Sequence, residues 1–172
     1  MICTTSTINV NETFTPYPQS PPTRFIRQLL AETQCPVFIV PDNYSHVDKI
    51  ILLYDGSPSS VYAIKIFNYL FKSQDALDIE VITVMDHEDD GQIANGKLIR
   101  EFMNRHYPQA TYTMLKGQPE DAISEYISRQ KGNALVVMGG YQRSSVLRSF
   151  KVTVTDTLMR KLKFPLFIAF NK

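Results

Sequence analysis

The sequence predicts an α/β protein built on a mainly parallel sheet. Short runs of β-branched and other apolar residues recur along residues 49–170, and longer amphipathic stretches separate them. Strands and helices that alternate in this way form parallel sheets with helices packed on their faces. The chain has 172 residues, of which 44% are hydrophobic, so it is long enough for one well-packed domain and too short for two ordinary ones.

Strands and helices are predicted in strict alternation along this region. The predicted strands cover residues 49–54, 79–85, 110–115, 134–138 and 166–170. The predicted helices between them cover residues 59–72, 92–107, 120–131 and 153–163. Ser57 followed by Pro58 is a typical start for the first of these helices, and Pro119 opens the third in the same way. Gly132 is a typical helix stop.

The beginning of the chain has a different composition. Residues 1–23 are rich in Thr, Ser, Asn and Pro and show no sustained hydrophobic period. A segment of this composition buries too little apolar surface to fold by itself. We therefore expect an extended or disordered leader.

A unit that follows the leader recurs at the end of the chain. Residues 25–40 align without gaps on residues 154–169, and the proline of one copy falls on the proline of the other, 129 positions later. Each copy comprises a helix, a proline and an apolar strand, and the offset is about the length of one small α/β domain. Residues 24–48 are therefore predicted to be the remnant of a first repeat with a linker, and residues 49–172 the main domain. A chance likeness between two such units is the alternative.

Charge and cysteine content narrow the function classes. The 18 basic and 17 acidic residues leave a net charge of +1, so no nucleic-acid partner and no acidic membrane surface is predicted. The sequence has no signal-peptide pattern and no apolar run near the roughly 20 residues that cross a bilayer, which favours a soluble cytoplasmic protein. Cys3 and Cys35 have neither metal-site spacing nor the density of a disulfide scaffold, so we expect ordinary reduced thiols.

The most informative segment for function begins at the predicted strand 134–138, which runs into Gly139 and Gly140. Glycines at the carboxyl end of a buried strand let backbone amides approach a ligand, and the start of the next helix adds N–H groups that suit phosphate. An ordinary tight turn between strand and helix is the alternative interpretation. The loop that follows supplies basic and hydroxyl side chains, namely Arg143, Ser144, Ser145, Arg148, Ser149 and Lys151.

The spacing of residues along the sequence does not support a metal site or a catalytic site. Residues 86–90 comprise four carboxylates and a histidine, but they lack the alternation and the glycine of a calcium loop, so no metal site is predicted. The sequence contains no G-x-S-x-G elbow and no G-x4-G-K-[ST] phosphate loop. No catalytic residue is predicted.

Three segments resemble those of a known family. They are YDGS at residues 54–57, LKGQP at residues 115–119 and VVMGGYQRS at residues 136–144. Through them, residues 49–170 resemble a universal stress protein domain. The resemblance implies an adenine nucleotide alpha hydrolase-like fold, a five-stranded parallel sheet in the order 3-2-1-4-5 with helices on both faces. Since members often occur as tandem pairs, the chain resembles the second domain of a tandem-type member with an incomplete first copy.

The resemblance also implies a ligand cleft. In the order 3-2-1-4-5, the crevice opens between the carboxyl ends of strands one and four, next to Asp55 and Gly139. Nucleotide-binding members have an acidic residue at the position of Asp55 and a G-x2-G-x9-G-[ST] motif around ribose and phosphates. Placed from Gly139, that motif puts Gln142 and Val152 at two glycine positions, where side chains narrow the phosphate cradle.

The binding residues that the resemblance implies come from the ends of several predicted strands and from the predicted loop that follows Gly139 and Gly140. They are Asp55, Gly56, Ser57, Val84, Met138, Gly139, Gly140, Gln142, Arg143, Ser144, Ser145, Thr153, Val154 and Thr155.

We therefore expect a stress-response regulatory module that binds ATP or another adenine nucleotide, with no metal beyond the Mg²⁺ that accompanies nucleotide. At most weak ATP hydrolysis is expected. One alternative is a dimerisation and interaction scaffold with a degenerate pocket, and another is an adenylyl-transfer enzyme, whose signature is missing. Self-association, or a pseudo-dimer, is expected through antiparallel pairing of residues 37–40 with residues 166–170, together with an unidentified protein partner.

Overall fold

A computed structural model describes residues 6–9, 30, 32–41, 45–71, 77–85, 96–130, 132–140, 158 and 164–171. The described strands are β1 (Ser6–Asn9), β2 (Val37–Val40), β3 (Lys49–Leu53), β4 (Asp78–Met85), β5 (Thr111–Lys116), β6 (Ala134–Gly139) and β7 (Leu166–Ala169). The helices with described bounds are α1 (Pro58–Leu70), α2 (Gly96–His106) and α3 (Pro119–Ser128). Most of the helix predicted for residues 153–163 lies outside the described residues, although Leu158 is helical.

The strands form one sheet in the order β1-β2-β7-β6-β3-β4-β5. Neighbours from β7 through β5 are all parallel, which confirms the predicted α/β fold with a mainly parallel sheet. The described sheet differs from the predicted five-stranded sheet in the order 3-2-1-4-5, because two more strands extend it beyond β7: β2, the strand predicted for the amino-terminal appendage, and β1, which was not predicted. An exposed edge of β7 would present unpaired backbone groups, and the early segment of the chain covers it.

The pairing of β2 with β7 joins the two copies of the repeated unit. The two strands run antiparallel, with Val37 opposite Ile168 and Ile39 opposite Leu166. Val37 and Ile39 are buried. The segments predicted to pair therefore do so within one chain, whereas self-association through them stays a prediction.

The first strand and the disulfide depart from the sequence predictions. β1 lies inside the predicted leader and pairs parallel with β2, from Ser6 opposite Val37 to Asn9 opposite Val40. A short polar segment has no alternating apolar signal, so the sequence does not indicate this strand.

The expectation of reduced thiols is wrong for Cys35, which is disulfide-bonded.

Both faces of the sheet are buried at its central strands β3, β6 and β7, as expected for parallel strands covered by helices. Ile50 and Leu52 of β3 pack on the face covered by α1 and α2, while Ile51 and Leu53 pack on the face covered by α3. The α1 face also contains an edge-to-face contact between Phe67 and Phe167, with ring centroids 5.2 Å apart. The two-residue period of the strands therefore divides the core into two layers.

A buried ion pair lies among these apolar layers. Glu80 of β4 is 5% exposed, and its Oε2 lies 2.8 Å from Lys49 Nζ of β3. Its Oε1 accepts hydrogen bonds from the hydroxyls of Thr113 in β5 and of Tyr126 in α3. Burial alone would raise the pKa of Glu80, but these contacts and the Lys49 charge outweigh it, so the pKa lies below its usual value. The Glu80 carboxylate on β4 thus contacts side chains from β3, β5 and α3.

We predict that Glu80→Gln lowers the free energy of unfolding by about 2 kcal/mol at neutral pH, because the charged network loses its acceptor. The folded-state pKa of Glu80 is lowered, so its stabilisation is present above the unfolded pKa and is lost as pH falls through the folded pKa. The difference between wild type and variant should therefore narrow below about pH 4. Urea unfolding followed by circular dichroism measures this difference in the free energy of unfolding.

The matched control is Glu125→Gln on the exposed side of α3, where Glu125 pairs with Arg129. An exposed pair contributes little, so this variant should lose less than about 0.5 kcal/mol. Equal losses for the two variants, or a loss at Glu80 that does not change with pH, would contradict the account.

Deletion of residues 1–45 removes β1 and β2 and should expose the edge of β7. We predict that the truncated chain self-associates more strongly, because its apolar edge can pair with a second copy. Sedimentation velocity over about a tenfold range of concentration compares it with the full chain. An oligomeric state unchanged by the deletion would contradict the prediction.

Candidate functional site

The candidate site lies at the carboxyl ends of β3 and β6. These strands are parallel neighbours, with Lys49 opposite Ala134 and Leu52 opposite Val137. β4 lies on the other side of β3, so the strand order reverses direction at β3. In open α/β sheets, ligands bind in the crevice at such a point. The turn after β3 and the glycines that end β6 therefore border the same crevice.

The turn after β3 holds a carboxylate beside a helix start. Asp55 is exposed, and its Oδ1 accepts a hydrogen bond of 3.0 Å from the Ser57 amide. Gly56 has a φ of 76°, which favours glycine, and Pro58 is the first residue of α1. The Ser57 Oγ accepts from the Ser60 amide at 3.3 Å and thus caps the helix. This local bonding fixes the carboxylate and the amino end of α1 at the rim.

Tyr54 links this turn to the sheet. Its amide donates to the Ile82 carbonyl at 2.9 Å, and its side chain is buried in the layer beneath α1 and α2. Burial raises the pKa of the Tyr54 phenol, and the negative charge of Asp55 raises it further. Tyr54 is therefore neutral at physiological pH, and its role at the rim is to pack and to position the turn.

Gly139 allows α1 to approach the end of β6 closely. A Cβ atom at this position would lie 2.6 Å from the carbonyl carbon and 2.7 Å from the carbonyl oxygen of Ser59. Because these are backbone atoms in the first turn of α1, they cannot move aside as a flexible side chain would. The glycine therefore brings the amino end of α1 against β6 and sets the width of the crevice.

Gly140 packs against the last strand on the opposite face. A Cβ atom here would lie 2.2 Å from Cε1 of Phe170, a buried residue directly after β7. The Gly140 amide donates to the Ala169 carbonyl at 2.7 Å. The side of Gly140 where a Cβ would lie thus packs against Phe170, and its N–H group is hydrogen-bonded within the protein. The sequence did not indicate the role of Phe170, because only the pairing of β6 with β7 brings it to Gly140.

The other predicted binding residues divide into two groups. Val84 on β4 and Met138 on β6 belong to the apolar layer beneath α3, which also contains Phe170. The second group lies outside the described residues and comprises Gln142, Arg143, Ser144, Ser145, Thr153, Val154 and Thr155. The described part of the site is therefore its carboxylate, its helix start and its apolar wall.

The amino ends of the strands border a cavity of about 280 Å³. It lies between the carboxyl ends of α1 and α2 and is bordered by Asn68, Phe71, Asp78, His106 and Tyr107. Asn68 Nδ2 and His106 Nδ1 are hydrogen-bonded to each other at 3.2 Å, so part of its polar capacity is already used. This cavity is at the opposite rim from the predicted cleft.

The described residues offer no other obvious chemistry. They contain no group of three or more His, Cys, Asp or Glu side chains that could hold a metal ion. The acidic residues 86–90 lie outside the described part of the chain. None of the helices in the described ranges is long and apolar enough to span a bilayer.

Comparison with known proteins identifies the architecture. No protein-family description and no curated protein matches the sequence. A universal stress protein from Archaeoglobus fulgidus superposes with a TM-score of 0.66 at 17% identity, over 90% of this chain and 57% of its own. The chain has the universal stress protein fold. A putative universal stress protein from Pseudomonas aeruginosa gives a TM-score of 0.58 at 14% identity, over 91% of this chain and 59% of its own.

A third solved structure is described as a universal stress protein in complex with cAMP. It gives a TM-score of 0.53 at 19% identity and matches 73% of this chain and 98% of its own length. The chain thus spans somewhat more than half of the first two proteins and nearly all of the third in length. Identities this low establish a shared fold, while function must be argued from the site.

We predict that Gly140→Ala destabilises the protein by about 1 to 3 kcal/mol because its methyl group overlaps the Phe170 ring. Phe170→Leu shortens that side chain, so in the double variant part of the loss should be recovered, with a coupling of about 1 kcal/mol. Denaturant unfolding of the two single variants and the double variant measures the coupling.

The matched control combines Gly139→Ala with Phe170→Leu. The methyl group at Gly139 meets the backbone of Ser59, so a smaller residue at Phe170 should not relieve it. Rescue of both glycine variants, or of neither, would contradict the assigned packing roles.

Proposed function

We propose that the protein is a universal stress protein-like regulatory module that binds ATP or another adenine nucleotide in the crevice between β3 and β6. The observation that carries the proposal is the convergence of three features at the point where strand order reverses. They are the Asp55 carboxylate, the capped amino end of α1 and the end of β6 at Gly139.

These features suit different parts of a nucleotide. The amino end of a helix carries a partial positive charge, which favours phosphate. The Asp55 carboxylate is an acceptor, so it suits the adenine amino group or ribose hydroxyls and repels phosphate. A nucleotide would therefore place its base or ribose beside Asp55. The basic residues Arg143 and Arg148, which follow Gly140 in the sequence, would supply charge for its phosphates. Mg²⁺ would enter with the phosphates of ATP.

The likeness in fold to a universal stress protein solved with cAMP supports an adenine nucleotide as the ligand class. Because the sequence contains neither a G-x-S-x-G elbow nor a G-x4-G-K-[ST] phosphate loop, we propose binding rather than turnover. At most weak ATP hydrolysis is proposed. The output of such a module is association with itself or with another protein.

We predict that Asp55→Ala weakens ATP or cAMP binding by about tenfold or more, equivalent to at least about 1.4 kcal/mol, because the base or ribose loses its acceptor. Isothermal titration calorimetry of the full chain with each nucleotide measures the affinity. The matched control is Asp78→Ala, which removes an exposed carboxylate at the opposite rim.

The expected result is a loss of nucleotide affinity in the Asp55→Ala variant and no loss in the Asp78→Ala variant. A loss confined to Asp78→Ala would place the nucleotide in the amino-rim cavity and contradict the proposed site. No binding by the wild type at millimolar ATP and cAMP would eliminate the nucleotide-dependent function.

A second candidate is an interaction scaffold with a degenerate pocket. It is favoured by the Gly140 amide, which bonds to Ala169, and by Gln142 and Val152 at the glycine positions of the family motif. Mass spectrometry of small molecules released from freshly purified protein separates the two candidates. Adenine nucleotide in the released fraction would rule strongly against the scaffold.

The tandem interpretation is also proposed. Residues 24–48 would be the closing unit of a first repeat, and the antiparallel pairing of β2 with β7 would then reproduce within one chain the contact between two tandem halves. A pseudo-dimer of this kind would leave the crevice between β3 and β6 unaffected, because β7 and β6 separate it from β2.

A further inference from the structure

One residue in the first turn of α1 has a backbone donor that the protein does not use. The first N–H groups of a helix have no partner inside it, so they bond to a cap, to water or to a ligand. Pro58, the first residue of α1, has no N–H group. The amides of Ser60 and Val61 donate to the Ser57 carbonyl at 3.1 and 3.3 Å. The Ser59 amide donates to no acceptor among the described residues.

The Ser59 side chain also has no partner in the described part of the chain. Ser59 is 6% exposed, and its hydroxyl makes no hydrogen bond to another described residue. Its Oγ is nevertheless not fully enclosed by the protein, so it stays open to a ligand atom. A largely buried hydroxyl without a partner costs free energy unless water or a ligand bonds to it. Ser59 therefore has two donors available at the start of one helix.

The structure separates Ser59 from the two other serines of this segment, which the sequence alone does not. The Ser57 Oγ caps α1 by accepting from the Ser60 amide. The Ser60 hydroxyl donates to the Ser57 carbonyl at 2.8 Å. Both of these side chains thus stabilise the turn itself, and Ser59 is the serine whose hydroxyl does not.

Ser59 lies at the border of the crevice between β3 and β6. Its carbonyl carbon is 2.6 Å from the place that a Cβ on Gly139 would occupy, at the end of β6. The exposed Asp55 carboxylate stands four residues earlier, in the turn after β3. The first turn of α1 contains no acidic residue, so no carboxylate within it opposes the positive end of the helix dipole.

We propose that Ser59 binds a phosphate group of the nucleotide, with its amide and its hydroxyl both donating to phosphate oxygens. This inference rests on the proposed function, because it names a residue of the same crevice. Phosphate oxygens accept several hydrogen bonds each, and their charge strengthens those bonds at the amino end of a helix. The base and ribose lie beside Asp55 in the proposed arrangement. Ser59 therefore distinguishes a nucleotide from the nucleoside that lacks its phosphates.

The test compares ATP with adenosine by nuclear magnetic resonance titration of the full chain. In the wild type, the Ser59 amide signal should move with ATP and stay in place with adenosine. Ser59→Ala should weaken ATP binding about tenfold, because a hydrogen bond to a charged group is lost. Its affinity for adenosine should stay within about twofold of the wild type, because the nucleoside does not contact the hydroxyl.

The matched control is Ser60→Ala, which removes a hydroxyl that bonds within the turn. This variant should lower the midpoint of urea unfolding and should change the affinities for ATP and adenosine by the same factor. Ser59→Ala should leave the unfolding midpoint unchanged, because its hydroxyl has no partner in the described part of the protein. A fall in ATP affinity in the Ser59 variant is then not attributable to loss of the fold.

Three results would overturn the inference while leaving the proposed nucleotide site in place. They are an unchanged ATP affinity in Ser59→Ala, equal losses of ATP and adenosine affinity in that variant, and a Ser59 amide signal that does not move at saturating ATP. Failure of the wild type to bind ATP at all would remove the proposed ATP site and this inference together.

Discussion

The structure depends on the close contact between the first turn of α1 and the end of β6. Side chains cannot enter this contact, because a single methyl group on Gly139 would overlap the backbone of Ser59. The contact is possible because β3 and β6 are parallel neighbours and α1 begins a few residues after β3 ends. It places the amino end of a helix and the Asp55 carboxylate over the point where strand order reverses. The proposed crevice follows from this arrangement.

Much of the fold was predictable from local sequence. Alternating apolar runs and amphipathic stretches indicated β3 through β7 with bounds within about two residues, as is usual for such predictions. The start of α1 was indicated by Ser57 and Pro58, because a cap and a first-turn proline are local signals. The likeness between the two helix–proline–strand units indicated β2 and its pairing with β7. These features depend on residues that are close in sequence or that repeat.

The features that were missed depend on contacts between distant residues. β1 is a short polar strand whose stability comes from its neighbour, so its own residues carry no signal. Glu80 stands in an apolar strand and is satisfied by groups from three other elements, which no local pattern reveals. The disulfide at Cys35 was missed because two cysteines without a motif resemble free thiols. In each case the deciding partner lies far away along the chain.

The glycine pair shows why a site could be located from the sequence but not described. Gly139 and Gly140 stand where a phosphate cradle would be expected, yet the structure gives each a packing role, against Ser59 and Phe170 respectively. The same residues therefore fit a ligand cradle and a tight junction between layers. The proposed ligand site depends instead on the exposed Asp55 carboxylate and on the helix start beside it.

The central claim is that this crevice, and not another surface, receives an adenine nucleotide. The most direct measurement is nuclear magnetic resonance of backbone amides during titration of the full chain with ATP or cAMP. The account predicts saturable shift changes at residues 55–57 and at Gly139, with none around Asp78 and His106 at the opposite rim. Shift changes confined to that opposite rim, or no changes at millimolar nucleotide, would contradict it.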